Sequence, residues 1–376
     1  MQNATRGLKW RERRLEYMKT ALVYDRVNKW GGAERVLLAL HEIFPEAPLY
    51  TSVYNSKTAP WAKVFSKVIP SFLQKIPFAS SNHEFLGALT PIAFESFDFS
   101  KYDLVISVSS EAAKGIITKP GTLHICYCLT PTRYLWSGYD IYFKNPVLGF
   151  LSKPVVLYLR KWDKIAAQRP DVMVAISSEV AKRIKKYYGR EADVIYPPVK
   201  LAYSEKRTAD RNKKYYLVVN RLVLYKKVDL VIEVFNQLKW PLIVVGTGSE
   251  ERRLKSMSKS KNIKFVGEVA DGDLINYYQG TRALIMPQEE DFGMVSIEAQ
   301  AVGVPVIAYK KGGSLETVVE GKTGIFFDHQ TPESLIAAIE RFDKMQFNRR
   351  ELVNNAERFS QEKFKNEFKR LVEEKR

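Results

Sequence analysis

Short apolar runs of β-forming residues alternate with amphipathic helical stretches along most of the chain, from Lys19 onward. The first half contains runs such as TALVY, DLVISVS and DVMVAIS, and the second half contains YYLVVN, PLIVVG, ALIMP and VPVIAY. Continuous apolar strands separated by helices are typical of a parallel sheet that helices cover on both faces. The pattern therefore predicts a doubly wound α/β fold, and it is more regular in the second half.

The alternation is interrupted by a polar, charged stretch after DVIYPPV, which predicts a linker over residues 199–214. A chain of 376 residues is also longer than one hydrophobic core usually organises. We therefore expect one α/β domain over 18–198 and a second over 215–345, followed by a charged helical segment over 346–376. Residues 1–17 are basic and lack an apolar core, and we expect them to be a flexible extension.

The formal net charge of the chain is +17. Such a surface attracts anions, including nucleic acid, phosphorylated metabolites and acidic lipid headgroups. A nucleic-acid-binding chain would be expected to contain a helix-turn-helix or an aromatic RNA-binding motif, and the sequence shows neither. Nucleic acid is therefore not an expected partner, and charge alone does not choose between the other two anions.

The cysteines and histidines do not form a pattern that predicts cross-links or metal binding. Cys126 and Cys128 lie two residues apart on a predicted strand, where their side chains point the same way and are poorly placed to pair. His41, His83 and His329 have no carboxylate or cysteine at ligand spacing. We expect no disulfide, no metal and no bound cofactor.

The most apolar stretch of the chain, NPVLGFLSKPVVLYL, is interrupted by Ser152, Lys153 and Pro154, so it does not predict a membrane span. The first residues lack the apolar core of a secretory signal, and we expect a cytoplasmic location. The aromatic and basic residues from Tyr139 to Trp162 could form a surface that rests on the inner face of an anionic membrane. Ordinary domain packing with a charged rim is the alternative.

The first candidate ligand site follows the strand TALVY, where Gly31 and Gly32 enter the first helix. Glycines at this position let backbone N–H groups approach a phosphate at the start of a helix. They also simply permit a tight turn, and the pair is not a full dinucleotide-binding fingerprint. The dipeptide alone leaves both interpretations open.

A second candidate site follows the strand YYLVVN, where Arg221, Lys226 and Lys227 lie in one loop. Cations at the carboxyl end of a parallel strand stand where open α/β sheets bind their ligands. A pyrophosphate is the natural partner, since arginine offers a planar fork and lysine a point charge. Solvated surface charge is the alternative.

A third candidate lies in ALIMPQEEDFGMVSIEAQAV, where Glu290 ends a loop and Glu298 lies within the following helix. These carboxylates are too far apart to serve one atom, but they could contact the two ends of an elongated ligand. Between them, the N–H groups of Phe292, Gly293, Met294 and Val295 begin a helix and suit a phosphate. Acidic residues are also ordinary at a helix start, although this does not explain Glu298.

The segment EDFGMVSIE resembles glycosyltransferase family 4 of the GT-B fold, because it has the E-x7-E pattern of that family. The likeness extends over nearly the whole chain. It includes the blocks GGAERV, AISSEVAKRIKKYYGREADVIYPPV, RLVLYKKVD, FVGEV and GVPVIAYKKGGSLETV. These blocks look like those of bacterial members that build surface polysaccharides, often mannosyltransferases. Several blocks in the right order are far more specific than any one of them.

The resemblance implies two Rossmann-like domains, with parallel sheets facing an interdomain cleft, and glycosyl transfer with retention and without a metal. Arg221 and Lys226 would neutralise the donor pyrophosphate, as a metal ion does elsewhere, with Lys227 the alternative if the loop alignment slips by one residue. Gly32 would contact the phosphate from the N-terminal, acceptor-side domain.

The same resemblance assigns the two carboxylates. Glu290 would contact hydroxyls of the donor sugar and Glu298 those of the ribose. The C-terminal segment of family members usually crosses back onto the first domain, so Arg349–Arg376 is expected to do so.

The sequence departs from many relatives at CLTPTRYLW, where Leu129 replaces a histidine that usually lies near the donor sugar. This puts the sugar contact in doubt. His124 is interpreted as a core or edge residue of the strand rather than as a substitute. Thr130 and Arg133 are candidate acceptor or cleft residues, with anchoring of the loop as the equal alternative.

The function expected from these features is retaining transfer of a hexosyl unit from a nucleotide sugar to a glycan or lipid-linked acceptor. GDP-mannose is the expected donor, by resemblance alone, with a UDP-sugar as the next choice. One alternative is another GT-B enzyme, such as a nucleotide-sugar epimerase or a glycan phosphorylase. A non-catalytic nucleotide-sugar-binding protein is the other.

Overall fold

The computed structural model describes residues 18–77, 83–143, 146–201 and 215–376. The predicted basic extension, 1–17, therefore lies outside the described residues, as do residues 202–214 of the predicted linker.

The chain divides into two compact units. The first unit comprises Met1–Pro198 together with Glu362–Arg376, and the second comprises Val199–Gln361. Each unit contains one sheet, and every strand pair in both sheets is parallel. The α/β fold with two parallel sheets is therefore confirmed.

The sheet of the first unit has seven strands in the order β3-β2-β1-β4-β5-β6-β7. Because β1 pairs with both β2 and β4, the strand order reverses at β1, as in doubly wound folds. The strands are β1 (Thr20–Tyr24), β2 (Leu49–Thr51), β3 (Val68–Pro70), β4 (Leu104–Ser109), β5 (Leu123–Cys128), β6 (Val172–Ala175) and β7 (Asp193–Val194).

Helices and short 3-10 turns connect these strands. The helices are α1 (Gly32–Ile43), α2 (Thr90–Glu95), α3 (Tyr139–Tyr142), α4 (Pro146–Ala166) and α5 (Ser178–Tyr188). The 3-10 turns are Pro60–Val64, Phe72–Lys75, His83–Leu89 and Ala113–Gly115.

The ends of α5 show how local sequence sets a helix boundary. The Ser177 hydroxyl accepts a hydrogen bond of 3.1 Å from the N–H of Val180, which caps the start. Gly189 adopts the left-handed conformation, with φ of 70°, and ends the helix. These two signals limit α5 to the segment SEVAKRIKKYY.

The sheet of the second unit has six strands in the order β10-β9-β8-β11-β12-β13, and its order reverses at β8. The strands are β8 (Tyr215–Val219), β9 (Leu242–Val245), β10 (Ile263–Gly267), β11 (Thr281–Met286), β12 (Val306–Tyr309) and β13 (Gly324–Phe327). The helices are α6 (Val228–Leu238), α7 (Glu251–Met257), α8 (Asp271–Gly280), α9 (Met294–Ala301), α10 (Ser314–Thr317), α11 (Pro332–Asp343) and α12 (Arg349–Glu357), with a 3-10 turn at Leu224–Lys226.

Two separate apolar clusters cover the faces of this second sheet. Helices α6 and α11 pack on one face, through residues such as Val231 and Ile339. Helices α8 and α9 pack on the other, through residues such as Leu274 and Ala299. The helix after β8 and the helix after β11 therefore lie on opposite faces of neighbouring strands.

The predicted C-terminal segment, 346–376, is divided between the two units. Helix α12 stays with the second unit, where Arg349 donates a 2.8 Å hydrogen bond to the Val302 carbonyl. A further helix, α13 (Gln361–Glu374), belongs from Glu362 onward to the first unit. Its Phe364 ring packs edge-on against Tyr127 of β5, with 5.7 Å between ring centroids. Only the last helix therefore returns to the first unit.

Within the described ranges, no helix combines the length and the apolar character needed to cross a bilayer.

Candidate functional site

The carboxyl ends of β8 and β11 form the point at which the order of the second sheet reverses. Since β8 pairs with both β9 and β11, the connections from β8 and β11 leave toward opposite faces. Open α/β sheets bind ligands at this point, outside the carboxyl ends of the strands. The loops that follow are Asn220–Lys227 after β8 and Pro287–Gly293 after β11.

A hydrogen-bonded cluster joins these two loops. The Lys226 ammonium donates to Oε1 of Glu290, and the side chains of both residues are largely buried. Gln288, which is fully buried, donates from Nε2 to the same Glu290 oxygen over 2.6 Å. Asn220 donates from Nδ2 to Oε1 of Gln288 over 3.2 Å. The structure therefore brings together Lys226 and Glu290, two of the three residues predicted to be catalytic.

The backbone of Glu290 is held by a glycine pair at the end of β12. The N–H of Gly313 donates to the Glu290 carbonyl over 2.8 Å. Gly312 is left-handed, with φ of 69°, and a Cβ there would lie 2.4 Å from the same carbonyl oxygen. A Cβ on Gly313 would lie 2.4 Å from Cα of Phe292. The two loops can approach this closely only because neither glycine has a side chain.

A second glycine loop, after β9, supports the loop after β8. A Cβ on Gly246 would lie 1.9 Å from the Asn220 carbonyl oxygen, and one on Gly248 would lie 2.3 Å from that of Leu222. The N–H of Leu222 donates to the Thr247 carbonyl over 2.8 Å. The segment that leads to the candidate cations is thus braced by a neighbouring backbone.

The remaining predicted cations lie on the exposed side of this loop. Arg221 is exposed and donates from Nη2 to the hydroxyl of Tyr225 over 2.7 Å. Lys227 is exposed and left-handed, with φ of 53°, and α6 begins immediately after it. A lysine with positive φ is uncommon, and here it lets the chain turn from the loop into the helix.

Helix α9 begins next to the cluster. Gly293, with φ of 94°, precedes its first residue, Met294. The ring of Phe292 is buried against Phe359, with 5.4 Å between centroids, so this side chain belongs to the core. Glu298 accepts a 2.9 Å hydrogen bond from the hydroxyl of Tyr278. The phosphate contacts predicted for 292–295 and the hydroxyl contact predicted for Glu298 stay predictions.

The chemistry of the cluster suits an anion that also bears hydroxyl groups. An ammonium carries three N–H donors and a carboxylate several acceptor positions, so Lys226 and Glu290 can pair with each other and still bind a ligand. In the described part of the chain, no three His, Cys, Asp or Glu side chains converge in a set able to hold a metal ion. The expected absence of a metal stays a prediction.

The predicted residues of the first unit lie near the carboxyl ends of its strands. Gly32 is the exposed first residue of α1, and Glu34 in the first turn is buried and accepts a 2.8 Å hydrogen bond from Tyr24. Burial raises the pKa of Glu34. Thr130 is buried, and its hydroxyl has no hydrogen-bond partner in the part of the chain that the structure describes. Arg133 is half-buried.

The interpretation of His124 as a core residue agrees with the structure. The side chain is fully buried on β5, and its Nε2 lies 2.9 Å from the Ser107 hydroxyl. Burial, with smaller contributions from Arg190 and Arg169, lowers the pKa of His124 to about 3.

A buried ion pair beneath the loop TPTRYLW was not predicted. Lys114 Nζ lies 2.5 Å from Asp163 Oδ1, and both side chains are only 1% exposed. Asp163 also accepts hydrogen bonds from Thr132 (3.1 Å), Trp136 (2.7 Å) and Tyr188 (2.8 Å). Asp163 and its partners come from four separate segments, so no local pattern could have shown that they meet. The ion pair therefore holds the loop TPTRYLW in place, because Thr132 and Trp136 of this loop donate to Asp163.

The comparisons with known proteins agree with this architecture. Residues 199–359 match the family model described as Glycosyl transferases group 1. Over 207 residues the chain is 26% identical to an uncharacterized glycosyltransferase of Methanocaldococcus jannaschii, a match that covers 54% of this chain and 58% of that relative.

A second relative carries a more specific name. The chain is 29% identical, over 194 residues, to the GDP-mannose-dependent monoacylated alpha-(1-6)-phosphatidylinositol monomannoside mannosyltransferase of Corynebacterium glutamicum. That match covers 44% of this chain and 51% of the relative. The chain thus spans about half the length of these curated relatives.

Among solved structures, Anabaena HepE in complex with UDP and glucose is similar to this chain, with a TM-score of 0.68 and 19% identity. The similarity covers 95% of this chain and 99% of HepE. The chain therefore has the GT-B fold of glycosyltransferases. Within it, residues 199–359 match the model of the group 1 glycosyl transferase family, in agreement with the resemblance noted in that part of the sequence.

Proposed function

We propose that the chain is a retaining glycosyltransferase that takes a hexosyl unit from a nucleotide sugar bound in the second unit. The cluster of Lys226, Glu290, Gln288 and Asn220 at the reversal point of the sheet is the observation that carries this proposal. The match of residues 199–359 to the group 1 family supports it.

In this proposal the loop after β8 binds the diphosphate of the donor. Lys226 and Arg221 donate hydrogen bonds to its oxygens and offset the negative charge that grows as the bond to the anomeric carbon breaks. Lys227 and the N–H groups at the start of α9 add further positive potential. The nucleoside diphosphate then leaves with the bonding electrons, the acceptor oxygen forms the new glycosidic bond on the same face, and the acceptor proton passes to the departing diphosphate oxygen. No metal is required.

The carboxylates hold hydroxyl groups in the same scheme. Glu290 accepts from the donor sugar while its Oε1 keeps Lys226 and Gln288 in place, and Glu298 accepts from the ribose. In the first unit, Gly32 is the proposed phosphate contact, and Thr130 and Arg133 are proposed contacts of the acceptor. The unpartnered hydroxyl of the buried Thr130 supports a role in binding.

GDP-mannose is the first donor to test and UDP-sugars are the second. The Corynebacterium relative is named for GDP-mannose, and HepE was solved with UDP and glucose. The proposed acceptor is a glycan or a lipid-linked sugar in the synthesis of cell-surface polysaccharide. Such an acceptor places the enzyme in the cytoplasm, at the inner face of the membrane.

The test is a panel of nucleotide sugars, read by thermal stabilisation and by release of nucleoside diphosphate in the presence of EDTA. A true donor should stabilise the protein by an amount that rises with the logarithm of its concentration once that concentration exceeds its dissociation constant. Lys226→Ala should lower turnover roughly a hundred- to a thousandfold, and Arg221→Ala by a comparable factor, because each removes a donor to the leaving group.

Lys322→Ala is the matched control for these variants. Lys322 is exposed and lies just before the amino end of β13, at the opposite edge of the same sheet, so its loss changes net charge without touching the cluster. Near-normal turnover in both Lys226→Ala and Arg221→Ala would reject the assigned roles. Interconversion of nucleotide sugars without acceptor would favour an epimerase, and stabilisation without any turnover would favour a binding protein.

A further inference from the structure

Helix α4 has one face that is firmly packed into the first unit. Val156 and Leu159 are buried in an apolar cluster with Leu135. One turn later, the buried Asp163 is held by Lys114. The helix is therefore a fixed part of the first unit, and its orientation is set by these contacts.

The opposite face of α4 is also apolar, although it is exposed. The large side chains at helical spacing from Val147 to Tyr158 are 50 to 69% exposed. We call these residues the outer face of α4: Val147, Phe150, Leu151, Leu157 and Tyr158. Single exposed apolar residues are ordinary, but several large ones on one helical face indicate a surface that is normally covered.

The charged residues in the sequence of α4 before Asp163 all have one sign. No acidic residue occurs between Asp140 and Asp163. Lys153, Lys161 and Lys164 are exposed, and the ammonium of Lys153 lies 5.6 Å from the ring centroid of Phe150. Lysines beside an apolar helical face can bury their methylene stems and keep the ammonium at the level of polar headgroups.

We propose that the outer face of α4 lies in the headgroup region of a bilayer that contains anionic lipid. An amphipathic helix with large apolar side chains on one face and lysines along it binds membranes in this way, parallel to the surface. A second copy of this chain is a poorer occupant, because each copy carries a net charge of +17 and only basic charged residues on α4 before Asp163.

This inference deepens the proposed function, since a lipid-linked acceptor would lie at the surface that α4 contacts. It depends on different residues, however, because none of the residues proposed to bind the donor lies on α4. Binding to membranes and binding to nucleotide sugars can therefore be measured separately.

The experiment is co-sedimentation of the full chain with vesicles of phosphatidylcholine, alone or mixed with phosphatidylglycerol. The wild type should bind the mixed vesicles at least tenfold more strongly. Phe150→Ser/Leu157→Ser should weaken that binding at least tenfold, because it removes two of the most exposed apolar side chains. The matched control is Ile117→Ser/Leu315→Ser, which alters two side chains of similar exposure outside α4 and should bind as the wild type does.

A second pair of variants tests the charge. Lys153→Gln/Lys161→Gln should weaken binding to anionic vesicles by about fivefold for each lysine. The control, Lys119→Gln/Lys322→Gln, has the same net charge as Lys153→Gln/Lys161→Gln, but neither of its lysines lies on α4. Its binding to anionic vesicles should stay within about twofold of the wild type, because only charges within about a Debye length of the membrane contribute to the attraction.

Three outcomes would overturn the proposal: equal binding to neutral and anionic vesicles, wild-type binding by Phe150→Ser/Leu157→Ser, or a dimer that this variant converts to a monomer with vesicle binding unchanged. Thermal stabilisation by nucleotide sugar should be the same in all these variants, which shows that they are folded. If the chain binds anionic vesicles but no nucleotide sugar stabilises it, the proposed function is rejected and the proposal that α4 binds membranes is retained.

Discussion

The side chain of Lys226 pairs with a carboxylate inside the protein. That pairing with Glu290 reduces the cost of keeping a charged group in a largely buried position. Gln288 and Asn220 extend the hydrogen bonds to the neighbouring strand, so the ammonium is held in one place. A group held in this way loses little freedom when it binds an anion, which is the advantage that preorganised sites have in catalysis.

His124 provides a test of how burial affects a single titratable group. Its pKa of about 3 in the folded protein lies below the value of about 6.5 for an unfolded chain. Between these values the unfolded state binds the extra proton, so stability is complete above pH 6.5 and falls as the pH drops. Lowering the pH from 7.5 to 5 should cost the first unit about 2 kcal/mol through this residue.

His124→Gln should remove that part of the pH dependence, since an amide does not titrate and can still reach the Ser107 hydroxyl. Hydrogen exchange of the strands of the first unit, at both pH values, measures the difference. His329→Gln alters an exposed histidine of the second unit and should leave the loss unchanged in the first. An equal loss at pH 5 in His124→Gln and in the wild type would show that burial of His124 is not the cause.

At the scale of whole elements, the hydrophobic pattern was sufficient to predict much of the fold. The run YYLVVN contains β8 and the run ALIMP overlaps the last four residues of β11, because a strand buried on both faces is largely apolar. The same pattern did not identify α4, because Ser152, Lys153 and Pro154 were used only to argue against a membrane span, and the helix continues through them. Nearby contacts hold α4 in place, and a local pattern does not contain them.

Less of the candidate site than of the fold could be predicted from the sequence, because the contacts that form the site join segments that are far apart in the chain. Lys226 and Glu290 stand out because they carry charge at strand ends, and the family resemblance assigned their roles. Gln288 and Asn220 are ordinary amides until the pairing of β8 with β11 brings them together. Gly312 and Gly313 were read only as part of a family block, since their importance comes from the loop that packs against them.

Gly312 allows this packing to be tested with a close control. Gly312 and Gly321 are both left-handed, with φ of 69° and 77°. An added Cβ meets the Glu290 carbonyl oxygen at 2.4 Å in the first case and nothing within 4 Å in the second. Gly321→Ala should therefore cost only the backbone strain, about 1–2 kcal/mol, whereas Gly312→Ala should cost more.

Gly312→Ala should also lower turnover, because relief of the clash moves Glu290, whereas Gly321→Ala should not. Hydrogen exchange of the second unit measures the stability of each variant, and release of nucleoside diphosphate measures the activity. Equal losses of stability, with turnover unchanged in both, would show that the close approach of the two loops does not position Glu290.

At the scale of the whole molecule, consecutive parts of the C-terminal segment belong to different units. Phe359 is buried in the second unit against Phe292, and Phe368, nine residues later, is buried in the first unit near Tyr127. The sequence pattern showed apolar residues at helical spacing over the whole stretch and so predicted one helical segment. It did not show that the segment changes units between α12 and α13, because both helices have the same amphipathic character.

This arrangement predicts that two similar substitutions close together in the sequence destabilise different units. Phe368→Ala and Phe359→Ala each leave a large cavity in a core, and each should cost about 3–5 kcal/mol in its own unit. Hydrogen exchange followed by mass spectrometry measures the two units separately, so protection should fall in β5 for Phe368→Ala and in β12 for Phe359→Ala. The reciprocal comparison supplies the control, because each variant leaves the other unit's core intact. If both variants lowered protection equally in both sheets, the division of the chain between Phe359 and Phe368 would not reflect two separate cores.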